Sequence, residues 1–162
     1  MLTLLAPDRP RLPPVTDLPI EQLGPVHWRH VARLMDEGFG LAGDERLADD
    51  GPTSPLAEVM ATSGLTTYAA FADWTIVGVG GLLLRGRTGL LTGAVTALGS
   101  RSRGVHAGLL QRRVEDARRW GAERVVAQAP EGSEAAARLQ RLGFVPLEGS
   151  ADDLPRCVGS SS

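Results

Sequence analysis

The sequence predicts an α/β (α+β) domain with a mixed, mostly antiparallel sheet, one parallel pair of strands and about four flanking helices. Three strand-like segments follow one another with short connections, which indicates antiparallel hairpins. A glycine-bearing loop then leads into a long amphipathic helix and a buried strand, which is the order of a parallel crossover. With 162 residues and 43% hydrophobic content, the chain can bury the core of one soluble domain.

One folded domain is predicted between two irregular ends. Residues 1–14 are predicted to be a flexible arm, because residues 6–14 are too rich in proline for a regular element. Residues 15–158 are predicted to form the single domain, and residues 159–162 a loose tail.

The first predicted elements of the domain are a strand and two helices. Residues 15–23 are predicted to be a strand, which Pro19 confines to a sheet edge because proline cannot donate to a neighbouring strand. The two predicted helices run from Pro25 to Gly38 or Gly40 and from Ser54 to Gly64.

Three strands are predicted in the middle of the chain, over residues 65–72, 75–84 and 89–98. Their connections, Asp73-Trp74 and residues 85–88, are short enough for hairpins. These strands are therefore expected to run antiparallel.

The most informative segment follows these strands and reads Arg101-Ser102-Arg103-Gly104-Val105-His106-Ala107-Gly108. Its small residues let backbone N–H groups face a ligand, and the start of a helix adds unpaired donors and a positive dipole. The helix is predicted over residues 105–120, and a strand over residues 123–129 is expected to lie parallel to the strand before the loop. The segment is predicted to bind a pyrophosphate.

A second helix and two extended segments complete the prediction. Ser133 is expected to cap the helix, and Gly143 to end it. Residues 144–147 resume extended structure, and residues 156–158 are a candidate edge strand.

Four arginines make one face of the long helix basic, while two acidic residues interrupt that face. They are Arg112, Arg113, Arg118 and Arg119, with Glu115 and Asp116 among them. This pattern predicts an exposed surface laced with salt bridges.

Composition and targeting signals narrow the functional classes. A formal net charge of −2 argues against nucleic-acid binding through a dominant positive field. Cys157 is the only cysteine, which excludes an intrachain disulfide and a multi-cysteine metal site. The longest apolar run, residues 75–84, is too short to cross a bilayer, and residues 1–6 lack the basic leader of an export signal. We therefore expect a cytoplasmic protein with no nucleic-acid, membrane or metal partner.

Taken in order, these pieces resemble the GNAT superfamily of acetyl-CoA-dependent N-acetyltransferases. The resemblance spans roughly residues 66–147 and consists of the hairpin strands, the R-S-R-G-V-H-A-G-L-L loop and helix, and E-G-S-E-A-A-A-R-L-Q-R-L-G-F. In that family the loop follows Q/R-x-x-G-x-G/A and holds the CoA pyrophosphate with backbone amides. The resemblance thus implies acetyl-CoA as cosubstrate, no metal, and a cleft between splayed parallel strands.

The resemblance also implies which residues bind the cofactor. They are Val95, Thr96, Ala97, Arg101, Ser102, Arg103, Gly104, Val105, His106, Ala107, Gly108 and Ser133. The main-chain N–H groups of residues 95–97 would polarise the thioester carbonyl. His106 stands where the family usually has a small residue, and its side chain is expected to point outward near the phosphates. Either Arg138 or Arg141 could also reach phosphate, although ordinary exposure is the simpler expectation.

The sequence departs from the family where catalytic groups are expected. Leu139 occupies the position, four residues before the glycine of the final G-F, where many members place a tyrosine that protonates the CoA sulfur. Tyr68 is the only tyrosine in the chain. The catalytic residues are unknown, and the candidates are Thr96, Glu37, Asp49 and Asp50. The three acids lie in a region, residues 27–63, that is expected to shape the choice of acceptor.

The sequence therefore predicts direct transfer of an acetyl group from acetyl-CoA to a small-molecule or peptide amine. A catalytically quiet acyl-CoA-binding or regulatory module with the same fold is the alternative. A second alternative is a nucleic-acid or protein-interaction domain that uses the arginine-bearing helix. The acceptor is left open, and so is the oligomeric state, since members of the family often pair through sheet edges as homodimers.

Overall fold

The computed structural model describes residues 1–10, 16–24, 64–100 and 103–148. Within these ranges, seven strands form one sheet in the order β2-β3-β4-β5-β6-β1-β7. They are β1 (Leu2–Leu5), β2 (Ile20–Leu23), β3 (Thr66–Ala72), β4 (Thr75–Arg85), β5 (Thr88–Thr96), β6 (Arg124–Ala129) and β7 (Val145–Pro146).

The predicted antiparallel hairpins are confirmed. β3 pairs with β4 and β4 with β5, both antiparallel, through the connections that the sequence indicates. Among the described strands, β2 pairs only with β3 and so lies at the edge of this sheet, directly after Pro19. A proline at that point removes one N–H from the ladder without breaking a central strand.

The parallel pair is also confirmed, and it is short. β5 pairs with β6 only from Thr88↔Arg124 to Leu91↔Ala127. Beyond Leu91, β5 continues along β4 as far as Thr96, whereas the end of β6 stays paired with β1. The two strands therefore separate after Leu91, and this opening lies near the middle of the sheet.

The N-terminal residues differ from the flexible arm predicted over residues 1–14. Residues 2–5 form β1, which lies between β6 and β7 and pairs antiparallel with both. Leu4 is completely buried, and the Ala6 N–H donates to the Val125 carbonyl at 2.8 Å. The prediction is wrong for these residues because the proline-rich stretch begins only after the strand, whose alternating side chains find a place on the sheet.

Two helices cover one face of the sheet in the described part of the chain. α1 (Val105–Arg119) packs across β3, β4, β5 and β6, and α2 (Glu134–Arg141) packs against β1 and β6. Their apolar residues join those of the strands in the main hydrophobic core. Burial of this face supplies the driving force that holds both helices on the sheet.

The remaining predicted elements lie outside the described residues. They are the helices expected over residues 25–40 and residues 54–63, and the edge strand expected over residues 156–158. In the ranges that the structure describes, no helix is long and apolar enough to span a bilayer.

Candidate cofactor site at the start of α1

The start of α1 presents free backbone donors. Gly104 precedes the helix with φ +70°, a left-handed conformation that glycine adopts without steric cost. The Gly108 N–H donates to the Gly104 carbonyl at 3.0 Å and makes the first helical hydrogen bond. The N–H groups of residues 105–107 precede that bond, so the helix itself gives them no acceptor. No acidic side chain lies in this first turn.

The chain reaches this turn directly from the strand that borders the opening. After β5, the Ala97 N–H donates to the Val77 carbonyl at 2.8 Å, and a 3-10 turn follows over Leu98–Ser100. The Arg103 N–H then donates to the Ser100 carbonyl at 3.2 Å. These bonds order the described residues of the short connection between β5 and α1.

A wall formed by residues 16–20 packs against the first turn of the helix. The Thr16 N–H donates to the Gly104 carbonyl at 3.3 Å. A Cβ at Gly108 would lie 2.9 Å from the Ile20 Cδ1 and 3.0 Å from the Thr16 Cγ2. A larger residue at position 108 would have to displace the Ile20 or Thr16 side chain, so glycine permits this close approach.

His106 lies half-buried in the first turn, and it is more enclosed than the outward side chain expected from the sequence. Burial lowers its pKa from 6.5 to about 4, and the positive charges of Arg113 and Arg138 act in the same direction. The imidazole is therefore neutral at pH 7, and Arg113 and Arg138 place positive charge near it. Such a region favours an anionic ligand.

Arg113 corrects the prediction of an exposed arginine surface. Its residue is only 2% exposed, and its side chain runs beneath α1 onto the sheet. Nε donates to the Leu109 carbonyl at 3.0 Å, and Nη1 donates to the carbonyls of Gly81 and Thr92 at 3.1 Å and 3.0 Å. Burial lowers the pKa of this guanidinium to about 10, so the group is still a cation at pH 7.

Sequence reasoning missed this residue although a signal was present. Arg113 follows Val105 and Leu109 at intervals of four and precedes Ala117 by four, so it belongs to the buried stripe of the helix. Helical spacing therefore indicates burial, whereas its charge alone suggests exposure.

Asp116 is the second buried charge on α1, and it corrects the same prediction. The Tyr68 hydroxyl, the Arg112 Nε and the Arg119 Nη1 donate to its carboxylate at 2.9, 3.0 and 3.0 Å. Burial alone would raise the pKa of Asp116, but the hydrogen bonds from Arg112 and Tyr68 outweigh it and the pKa is lowered. The predicted salt bridges of Arg112 and Arg119 are confirmed, around a carboxylate that is itself inside the protein.

This arrangement withdraws Tyr68 from acid–base chemistry. Burial and the hydrogen bond to Asp116 raise the pKa of its phenol further above the ordinary value. Since Tyr68 is the only tyrosine of the chain, no tyrosine is available as a proton donor in a cleft.

α2 supplies a capping serine and an apolar side chain. Ser133 caps the helix as predicted, and its Oγ accepts a hydrogen bond from the Ala136 N–H at 3.1 Å. Leu139 is buried in the main core, so the position that the family often gives to tyrosine serves packing here. Arg138 is exposed and pairs with Glu134 at 3.2 Å.

The other predicted site residues fall in two groups. Val95 and Thr96 are the last residues of β5, opposite Val79 and Gly78, and Ala97 follows them. Arg101 and Ser102 lie outside the described residues, as do the candidate bases Glu37, Asp49 and Asp50. Across the ranges that are described, no group of three or more His, Cys, Asp or Glu side chains could hold a metal ion.

Comparison with solved structures identifies the fold. A GNAT-family acetyltransferase structure from Novosphingobium aromaticivorans matches 90% of this chain with a TM-score of 0.64 and 21% identity. This chain spans 59% of that protein's length. An acetyltransferase from Trypanosoma brucei matches with a TM-score of 0.62 and 20% identity, over 83% of this chain and 96% of its own.

A third structure is an aminoglycoside acetyltransferase from an uncultured soil metagenomic sample, solved with sisomicin. It matches with a TM-score of 0.60 and 16% identity, over 76% of this chain and 85% of its own. No protein-family model matches the sequence. A search of curated proteins also found no match. The chain has the GNAT acetyltransferase fold, and at these identities the likeness establishes the fold alone.

Proposed function

We propose that this protein binds acetyl-CoA at the start of α1 and transfers its acetyl group directly to an amine. The single observation that carries the proposal is the junction of β5 with α1. There, the N–H groups of residues 105–107, for which the helix itself gives no acceptor, follow within about ten residues of the stretch of β5 that has parted from β6. A phosphate binds favourably at such a helix start, and an extended ligand arm can lie along a strand that has parted from its neighbour.

The charges around this junction support an anionic ligand. Gly104 turns the backbone without a side chain in the way, and the first turn holds no carboxylate that would repel phosphate. Arg113 and Arg138 contribute positive charge near His106. Arg103 is exposed at the loop and is a further candidate for phosphate contact, as are Arg101 and Ser102.

The proposed chemistry needs little from side chains. The amine nitrogen attacks the thioester carbonyl carbon, the new C–N bond forms, the C–S bond breaks, and the amine loses a proton to a base or to water. The Ala97 N–H already donates to the Val77 carbonyl, so of residues 95–97 the main chain of Val95 and Thr96 is the candidate to stabilise the negative charge that develops on the carbonyl oxygen. The CoA thiolate is a fair leaving group because a thiol has a pKa near about 8.5, so departure without a tyrosine is feasible.

The amine needs more help than the thiol. An alkyl amine with a pKa near about 10.4 is almost wholly protonated at neutral pH, so a base must remove its proton. Glu37, Asp49 and Asp50 remain the proposed candidates, with Thr96 as a candidate to orient water or substrate. A small-molecule amine is the preferred acceptor class, as the sisomicin complex of the metagenomic structure suggests.

The direct test has two arms. Calorimetric titration with acetyl-CoA should show binding at one site per chain. Release of the CoA thiol should rise above the hydrolysis background when small amines, or peptides with a free N-terminal amine, are added. Absence of binding would refute the cofactor site. Binding without release, across the whole panel, would refute the reaction.

A catalytically quiet acyl-CoA-binding module is the second candidate, and two observations favour it. Leu139 is packed in the core, and Tyr68 is held by Asp116, so neither supplies an acid. Binding of acetyl-CoA without turnover would establish this alternative. A cytoplasmic location and a homodimer stay predictions.

A further inference from the structure

The buried guanidinium of Arg113 joins two strands at one point. Its Nη1 donates at once to the carbonyl of Gly81 on β4 and to that of Thr92 on β5. Its Nε donates to the Leu109 carbonyl and so fixes the side chain to its own helix. One side chain therefore ties α1 to the main chain of both central strands.

That point coincides with the start of the opening in the sheet. Gly80 pairs with Ala94, but Gly81 pairs with Thr92, so β5 has an extra residue, Gly93, and forms a bulge. The last parallel pair between β5 and β6 is Leu91↔Ala127. Thr92 is thus both the first residue past that pair and a residue held by Arg113.

The strand beneath the guanidinium is shaped to admit it. A Cβ at Gly80 would lie 2.8 Å from the Arg113 Cζ and 3.0 Å from both Nε and Nη1. Any larger residue at position 80 would push the guanidinium off the two carbonyls. Gly80 and Arg113 therefore form one matched contact.

The partners of Arg113 indicate what this contact does. In the described part of the chain its hydrogen bonds go to carbonyl oxygens, and it takes part in none of the ion pairs. A buried cation without a carboxylate is costly, so its presence calls for a compensating role. Here it supplies a hydrogen-bond donor to two strand carbonyls that lie at the register shift.

We propose that Arg113 is a positioning residue that fixes the bulge of β5 and thereby the width of the opening between β5 and β6. The proposal depends on the proposed function, because the opening is where the pantetheine arm and thioester of acetyl-CoA would lie. Arg113 acts through Thr92 and Gly81 and does not itself touch the reacting atoms.

Two ligands separate this role from general damage to the site. Acetyl-CoA needs both the start of α1 and the opening, whereas adenosine 3′-phosphate 5′-diphosphate carries the phosphates without the pantetheine arm. Loss of the bulge geometry should weaken acetyl-CoA and leave the nucleotide unchanged. A merely structural defect would weaken both ligands together.

Two variants disturb the contact from opposite sides. Arg113→Lys keeps the positive charge, but its nitrogen ends one atom short of Nη1 and cannot hold both carbonyls. Gly80→Ala keeps Arg113 and displaces its guanidinium. The matched controls are Arg124→Lys, at an exposed arginine of β6, and Gly24→Ala, at a glycine with open space around it.

Calorimetric affinities of both ligands, measured on all four folded variants and the wild type, decide the proposal. We expect Arg113→Lys and Gly80→Ala each to weaken acetyl-CoA about tenfold, with less than about a twofold change for the nucleotide. The controls should match the wild type for both ligands. Where activity is measurable, the KM for acetyl-CoA should rise in the two test variants.

The outcomes distinguish this proposal from the proposed function. If the wild type binds neither ligand, both are wrong. If the wild type binds both and either test variant keeps its acetyl-CoA affinity, or loses both ligands equally, the role of Arg113 is wrong and the cofactor site stands. Either test variant is sufficient to decide the proposal. If one of them fails to fold, the measurements on the other still decide it.

Discussion

Two regions of α1 handle buried charge in opposite ways. Asp116, near the C-terminal end, is surrounded by donors from Tyr68, Arg112 and Arg119, and the charges are paired. Arg113, one turn earlier on another face, meets only carbonyl oxygens among the described residues, and the first turn of the helix holds no acid. The Asp116 cluster is electrostatically closed, whereas Arg113 keeps a positive charge without an acidic partner among the described residues.

This difference separates a cluster that stabilises the fold from the proposed binding region. The Arg112 Nη1 also donates to the Ile20 carbonyl at 3.1 Å, so the Asp116 cluster fastens the edge strand β2 to the helix. Near His106, by contrast, Arg113 contributes a positive charge that takes part in no ion pair among the described residues. Uncompensated charge beside a helix N-terminus is typical of an anion site, whereas a satisfied cluster stabilises the fold.

The largest effect on stability is expected from removing the carboxylate at the centre of the Asp116 cluster. Asp116→Ala should lower the free energy of unfolding by about 3 kcal/mol, because it leaves the buried Tyr68 hydroxyl without its acceptor and removes two charged hydrogen bonds. Urea denaturation followed by circular dichroism measures this. Glu115→Ala, at the exposed neighbouring acid, is the control and should change stability by less than about 0.5 kcal/mol.

A smaller effect on stability is expected at Arg113. Arg113→Met should cost about 1–2 kcal/mol, since three carbonyls lose the donor that Arg113 supplies while the desolvation cost of a buried charge disappears. The same denaturation experiment applies. If Arg113→Met destabilises the fold more than Asp116→Ala, the distinction between the stabilising cluster and the proposed binding region is lost.

The first turn of α1 is expected to be sensitive to backbone conformation. Gly104→Ala places a Cβ on a residue at φ +70° and should cost about 1 kcal/mol, together with weaker acetyl-CoA binding. Gly99→Ala is the stability control, because Gly99 has open space and no positive φ. Equal stability of the two variants would mean that the left-handed turn is not required.

The smallest effect at neutral pH is expected from His106, whose contribution changes only in acid. The folded-state pKa of His106, about 4, lies below its ordinary value of 6.5, so the unfolded chain binds the proton more readily between these values. Stability should be full above pH 6.5 and fall as the pH drops toward 4, by at most about 1.4 kcal/mol per pH unit. His106→Gln should flatten this part of the profile relative to wild type. An unchanged slope would place His106 in a more solvated setting.

Local patterns predicted most of the sheet and the α1 junction. Short connections predicted the antiparallel hairpins, and the strand–loop–helix–strand order predicted the parallel pair, because both follow from chain geometry. Residues 2–5 were not predicted as a strand, since four residues beside a proline-rich segment give no periodic signal. Their pairing depends on β6, more than 100 residues away.

The sequence alone did not predict which charged residues of α1 are buried. The sequence shows six charged residues on α1, but which of them are buried depends on the space beneath the helix. Gly80 makes that space for Arg113, and Tyr68 meets Asp116 from another strand. These are tertiary contacts between distant segments, and a helical pattern alone reveals only the stripe on which they fall.

Backbone amide chemical shifts, followed by NMR during titration with acetyl-CoA, test the central claim most directly. The account predicts saturable shifts at residues 103–108 and 92–97, with little change in the hairpin of β3 and β4 around Asp73. Shifts confined to other regions, or none at saturating acetyl-CoA, would contradict it.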